Sequence, residues 1–220
     1  MKFSPAILAC CFYLLILLFY RCGNEGTAKD IDGNIYKTVT IGNQAWMAEN
    51  LKTSRFRNGD SIPNITDNAS WEALATAAWC FYNNDSSLGQ TYGSLYNWYA
   101  VQDARGLCPE GWHVPSDDEF KALISYLGGD SVAGGKMKAL GLWNEPNQGA
   151  TNQSNFTALP GGYRYFTGNS KLMGNYSGFW SSSEGNSDFS WLLYLNFNDF
   201  AASRIFFGKK NGLSCRCVKD

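Results

Sequence analysis

Few residues in this 220-residue chain have side chains suited to chemistry. There is one histidine, His113. A single imidazole excludes any site built from two or more histidine ligands, including three-histidine iron or zinc centres. General-base work by His113 would need a nucleophile or a carboxylate partner. None is evident nearby in sequence, so the expected role is bonding backbone or capping a turn. Asp117 and Asp118 could form an acid pair, but after Ser116 they read as first-turn carboxylates of a helix. Seven cysteines stand at 10, 11, 22, 80, 108, 215 and 217. Cys10 and Cys11 fall in an apolar run, and Cys22 follows it. Cys80, Cys108, Cys215 and Cys217 remain as disulfide candidates, with three possible pairings. Cys215 and Cys217 are two apart, so on a strand they share a face and pair badly. Each would then need Cys80 or Cys108.

These residues sit in a chain of unusual balance. Charged residues make up 17%, against about 25% in ordinary soluble proteins. Aromatic residues make up 15%, with 8 Trp and 23 Gly, and the net charge is -1. Nucleic-acid binding needs a basic face that displaces counterions, which this balance does not supply. Intrinsic disorder is excluded by the aromatic content, which can bury enough area to offset chain entropy. Met1 and Lys2 precede an apolar run, Ala6 to Tyr20, of signal-peptide length. A cysteine directly after such a run suggests a bacterial lipoprotein lipidated at Cys22. Cleaved secretion and a retained anchor are the alternatives. All three place residues 23–220 outside the cytoplasm, anchored to a membrane, secreted or periplasmic. The expected layout is a signal peptide over 1–22, a tether over 23–29 and one domain over 30–220.

The elements that must position the candidate residues read as α+β. Tyr36–Ile41 and Gln44–Met47 are strand-like around a Gly42-Asn43 turn. Asn68–Ala77 reads as a short helix. Ser116 and Glu119 have capping-box spacing, Phe120, Leu123, Ile124 and Leu127 form a helical stripe, and Gly128-Gly129 stops it. A second short helix is expected over Gly135–Leu140, and residues 141–175 read as ordered loops. Short antiparallel strands are expected around Phe179–Ser182, Trp191–Asn198, Arg204–Phe207 and Leu213–Val218. On the second, Trp191, Leu193, Leu195 and Phe197 share one face, and Leu192, Tyr194, Asn196 and Asn198 the other.

Several blocks carry a resemblance. They include Asp32-Gly33-Asn34-Ile35-Tyr36, Gln44-Ala45-Trp46-Met47-Ala48-Glu49-Asn50-Leu51, Trp79-Cys80-Phe81-Tyr82, Tyr92-Gly93-Ser94-Leu95-Tyr96-Asn97-Trp98, Cys108-Pro109-Glu110-Gly111-Trp112-His113-Val114-Pro115-Ser116-Asp117, Leu159-Pro160-Gly161-Gly162-Tyr163-Arg164, Phe179-Trp180-Ser181-Ser182-Ser183 and Cys217-Val218-Lys219-Asp220. In this order they resemble the Fibrobacter succinogenes major paralogous domain, a family of bacterial cell-surface modules. The resemblance implies a C-type-lectin-like fold, shared more distantly with formylglycine-generating enzymes. It implies paired N- and C-terminal strands and a helix after Pro115-Ser116-Asp117. The family's cysteines match Cys80, Cys108 and Cys217, which leaves Cys215 as an extra thiol, bridged or free.

The resemblance also frames the function. Glu145-Pro146-Asn147 is the tripeptide with which true C-type lectins hold calcium and sugar hydroxyls, making Glu145 and Asn147 weak calcium candidates. The Trp-Asn-Asp half of that signature is missing, and no cofactor is expected otherwise. Copper chemistry of the formylglycine-generating kind needs an accessible thiol pair, and Cys215-Arg216-Cys217 is too closely spaced. Tyr194, Asn196, Asn198, Asp199, Phe200, Arg204, Ile205, Phe206 and Phe207 form the best binding surface, rich in aromatics, Asn and Arg. In some lectin-like bacterial surface proteins, retroelements diversify this region, and Asp199–Phe207 is compatible with that. The alternative is that half of these residues are core. The reading is a non-catalytic cell-surface binding or adhesion lipoprotein recognising an unknown glycan or protein. An enzyme or a structural envelope component are the competing classes.

Overall fold

The computed structural model of the protein describes residues 26–220. The apolar run and Cys22 lie outside the described residues. The first strand, β1 (Gly26–Lys29), pairs antiparallel with β2 (Ile35–Ile41), from Gly26 opposite Thr38 to Lys29 opposite Ile35. The turn between them is closed by Asp30, whose carboxylate accepts from the Asn34 backbone N–H at 2.9 Å and the Tyr36 hydroxyl at 2.5 Å. The expected tether over 23–29 is therefore corrected, since Gly26–Lys29 belongs to the folded sheet. Only Ala28 in that strand is buried, so no apolar alternation marked it.

β3 (Gln44–Met47) returns antiparallel to β2 as expected. There follow α1 (Asn68–Glu72), β4 (Trp79–Cys80), α2 (Ser86–Tyr92), β5 (Leu95–Tyr96), α3 (Trp98–Val101) and β6 (Trp112–His113). α1 is shorter than expected. Its N-cap is Asp67, whose carboxylate accepts from Ser70 N–H at 2.8 Å. α4 (Asp117–Tyr126) carries both halves of the capping box, Ser116 and Glu119, and buries Phe120, Leu123 and Ile124. Such a cap is worth about 1 kcal/mol.

α5 (Asp130–Met137) begins earlier than the 135–140 segment expected. Its interior glycines have a packing reason. A Cβ on Gly134 would lie 2.0 Å from the Ala201 carbonyl oxygen, and one on Gly135 would lie 2.3 Å from that of Gly149. Two loops thus press directly on the helix backbone, which offsets the roughly 1 kcal/mol that each glycine costs a helix.

The remaining strands are β7 (Tyr163–Arg164), β8 (Ser170–Lys171), β9 (Tyr176–Glu184), β10 (Phe189–Asn196), β11 (Ala202–Gly208) and β12 (Val218–Lys219). A five-stranded antiparallel sheet runs β1-β2-β3-β12-β6, so N- and C-terminal strands pair, with Val218 opposite Trp46. A three-stranded sheet runs β11-β10-β9, and β4–β5 and β7–β8 form two-stranded pairs. The class is α+β, with short antiparallel strands and ordered loops. Among the described residues five short α-helices form where three were expected.

The expected strand over 213–218 is mostly not a ladder. Leu213 N–H donates to Tyr96 O at 3.0 Å, Trp180 N–H to Ser214 O at 3.1 Å, Leu51 N–H to Cys215 O at 2.9 Å and Met47 N–H to Cys217 O at 3.0 Å. The segment is extended, but it threads between several elements and pairs fully with none.

The core divides into two principal clusters. One holds Val39, Trp46, Phe120, Leu123, Phe156, Phe179, Leu193, Leu195 and Val218 beneath α4 and α5. The other holds Tyr36, Met47, Tyr96, Trp98, Trp112, Trp180, Leu192, Leu213 and Cys217. Alternation along β10 sends Leu193 and Leu195 to the first and Leu192 to the second, so both faces of this strand are covered.

Cys108 and Cys217 form a disulfide, while Cys80 and Cys215 are free and buried. The second bridge that the four candidate cysteines allowed is absent among the described residues. Cys80 lies in a small cluster with Trp71, Ala78 and Leu95, apart from Cys215 in the larger one. Alkylation and peptide mapping without reduction should modify Cys80 and Cys215 and recover the Cys108 and Cys217 peptides joined. A joined Cys80 peptide would contradict this pairing. The closed loop spans 109 residues. A Cys108→Ser, Cys217→Ser double variant should lose up to about 4–5 kcal/mol of stability in denaturant unfolding.

His113 ties the same region together. Its Nδ1 lies 2.6 Å from Asp220 Oδ1 and its Nε2 2.9 Å from Glu119 Oε1. Burial alone would depress its pKa, but the two carboxylates outweigh burial and raise it. A raised folded pKa gives stability that is present below the unfolded value of about 6.5 and lost as pH rises through the folded pKa. The pair is partly exposed and screened, so the effect should be about 0.5 kcal/mol. Urea unfolding should show this decline above pH 6.5, and His113→Gln should remove it. A pH slope unchanged in that variant would show that the carboxylates do not act through this ring.

Candidate functional site

The expected binding residues separate into three groups. Tyr194 and Asn196 point along one face of β10, where the Asn196 amide donates to the Tyr194 hydroxyl and the Tyr194 ring lies 5.1 Å from that of Tyr176. Tyr194 packs against the core. Asn198, Asp199 and Phe200 are exposed at the β10–β11 turn. Asp199 Oδ1 accepts from Ala201 N–H at 3.0 Å, and the Phe200 ring covers the backbone of Gly149. Arg204 is held in an ion pair across to α4, its Nη1 lying 2.7 Å from both oxygens of the buried Asp117 carboxylate. Asp117 and Asp118 do not face each other as a free acid pair, because Lys121 neutralises both, at 3.0 and 2.7 Å.

Phe206 and Phe207 lie toward the other end of the hairpin from Phe200. Phe206 is 50% exposed, with its ring 4.0 Å from that of Trp191. Phe207 is partly buried and lies 5.4 Å from Tyr163. Together they border a groove of about 420 Å³ whose other walls include Tyr99, Tyr165, Phe166 and Phe189. Phe166 and Phe189 are themselves well exposed. Sequence reasoning missed these four. Phe166 carries a signal, since it follows Tyr165 in a segment otherwise rich in Gly and Asn.

Some polar groups of this groove are engaged. Lys209 is buried, pairs with Glu184 and lies 4.5 Å over the Trp98 ring. Lys210 Nζ donates to Glu72 O at 3.0 Å, and Asn211 Nδ2 to Gly208 O at 2.8 Å. Asn211 Oδ1 is buried without a partner, and the Tyr99 and Tyr165 hydroxyls make no hydrogen bond among the described residues, so the groove sets hydrogen-bonding groups beside its apolar rings.

The weak calcium candidates lie elsewhere. Glu145 is exposed, and Asn147 donates its amide to Ala139 O at 3.0 Å. Between this turn and the β10–β11 turn stands the ammonium of Lys138. It donates to the carbonyls of Gln148, Asn196 and Asp199 at 2.9, 2.9 and 2.8 Å. A cation is therefore already supplied there by the chain. Burial pushes the Lys138 ammonium down to about 8, despite the opposing charge of Asp199. Among the described residues no three His, Cys, Asp or Glu side chains gather as a metal-binding group.

The thiols are equally constrained. Burial raises Cys215 far above the ordinary thiol range, and Cys217 is bridged. Burial pushes Cys80 up to about 11, against the opposing charge of Arg164. His113 has the carboxylate partners that sequence reasoning did not find. Glu119 is six residues on and was read only as a cap, while Asp220 is 107 residues away.

No curated protein and no solved structure matches the chain. A family model, that of the Fibrobacter succinogenes major domain, matches residues 39–219. That span takes in the capped helix, both principal sheets beyond β1 and the disulfide, and the chain therefore belongs to the Fibrobacter succinogenes major domain family.

Proposed function

We propose that this chain is a non-catalytic binding or adhesion module of the bacterial cell surface, with a C-type-lectin-like fold and a lipid anchor at Cys22. The observation that carries the reading is the groove at Phe206, where half-exposed aromatic rings line about 420 Å³. Exposed rings that converge on one groove are contact groups, able to bury large area with little loss of side-chain freedom. The ligand is a glycan or a protein.

Enzyme chemistry has less to work with. Both ring nitrogens of His113 face carboxylates, which leaves neither free to take a proton from a substrate. The Cys215-Arg216-Cys217 thiols offer no accessible pair.

A glycan array probed with the soluble domain, with and without calcium, tests the module. Phe206→Ala should lower binding roughly tenfold, equal to about 1.4 kcal/mol, while Glu145→Gln and chelation should leave it unchanged. Calcium-dependent binding abolished by Glu145→Gln would transfer the site to the 145–147 turn. Cys22→Ala should prevent lipidation and release the protein from the membrane fraction. A variant processed and located like its parent would remove the anchor from the proposal.

A further inference from the structure

β11 is the edge strand of its sheet. On one side it pairs with β10, from Gly208 opposite Phe189 to Ala202 opposite Leu195. On the other side, among the described residues, no backbone or side-chain group bonds the main chain of Ser203–Phe207. α5 packs against β11, and its backbone bonds the chain just before the strand, where Gly135 N–H donates to Phe200 O at 2.9 Å and Gly134 abuts Ala201. In an antiparallel pair, alternate residues of an edge strand direct their N–H and C=O groups outward. Natural sheets usually blunt such an edge with charges, proline or a bulge. Here the outer stretch carries Ile205, 39% exposed, and Phe206.

The groove lies at the same place. Phe206 and Phe207 are successive strand residues whose side chains leave opposite faces, and both border it, as does Gly208. A groove that touches both neighbours crosses the strand near its end and does not lie on one face alone.

We infer that β11 and this groove together form a docking site for an extended polypeptide segment of a partner protein, which adds as a strand beside Ser203–Phe207 and places an aromatic or aliphatic side chain in the groove. This deepens the proposed function and rests on it. One observation selects a polypeptide. A row of unpaired main-chain donors and acceptors at strand spacing is satisfied by another main chain and by little else. The rings of Phe166, Phe189, Phe206 and Phe207 then take an apolar side chain of that segment. Main-chain bonds then supply affinity, and the groove selects the side chain.

The test uses the full chain in detergent and three capped decapeptides. The first alternates threonine and valine around one central phenylalanine. The second is the same peptide with every second amide N-methylated. The third has threonine in place of the phenylalanine. Hydrogen-exchange mass spectrometry should show slowed exchange over residues 203–207 with the first peptide. N-methylation, threonine replacement and the Phe206→Ala variant should each weaken its binding roughly tenfold or more. Equal binding of the N-methylated peptide would overturn strand addition. A cellulose or chitin tetrasaccharide is the comparison ligand. If it binds through Phe206 and the first peptide does not, strand addition fails but the binding module stands. If neither binds, both fail. A concentration-dependent dimer that Phe206→Ala dissolves, with no peptide binding, would assign the edge to a second copy of this chain and overturn the inference.

Discussion

The structure depends on finding donors for loop carbonyls. Much of the chain lies outside regular ladders, and a buried carbonyl without a partner costs as much as a lost hydrogen bond. Three buried cations meet the need. Lys138 serves three carbonyls. Arg164 serves Ile65, Thr66 and Gly168. Arg216 serves Phe156 and Thr157 and also bonds the Asn50 side chain at 2.9 Å. Among the described residues, none of the three is in an ion pair with a carboxylate. Aromatic faces complete their surroundings. Arg164 lies 4.4 Å over Trp71, and Arg216 lies 4.3 and 5.0 Å from the Phe156 and Phe179 rings. The carbonyl dipoles and ring quadrupoles stand in for a counter-ion.

The tryptophans do the same work with a neutral donor. The indoles of Trp71, Trp79, Trp98, Trp143 and Trp180 donate to the carbonyls of Lys210, Ile62, Ser181, Ala158 and Tyr96. Each buries a large ring and fastens one point of irregular chain in the same stroke. This accounts for a composition so rich in tryptophan and so poor in charge. The aromatic excess is chiefly internal, and the rings around Phe206 stand out because they are exposed.

The legible parts of the fold were those with local causes. Ser116, Glu119 and the 120–127 stripe mark α4 because cap and periodicity lie within one short segment. The alternation of β10 is legible because both of its faces meet apolar clusters. β1 was not, since only one of its four residues is buried and its pairing depends on the Asp30 turn. The 213–218 segment reads as a strand because it is extended and apolar, yet its partners come from four separate regions. Of the candidate site, Phe206 and Phe207 were found from side-chain type. The Arg204–Asp117 ion pair was not legible because its partners are 87 residues apart. Such pairings are set by tertiary topology and leave no local pattern.

The same internal charges shape what the hairpin can offer a partner. Lys138 fixes the β10–β11 turn from beneath through the carbonyls of Asn196 and Asp199. Arg204 fixes the middle of β11 to α4, and Lys209 fixes the turn that follows the strand to Glu184. β11 is thus fixed at its start, middle and end, and among the described residues the main chain of Ser203–Phe207 bonds nothing on the side away from β10. A preformed edge loses little further freedom when a partner binds, so more of each contact is retained as affinity. The cation that holds this turn, the Lys138 ammonium, is covalently part of the chain, so the shape of the hairpin is coupled to the fold itself.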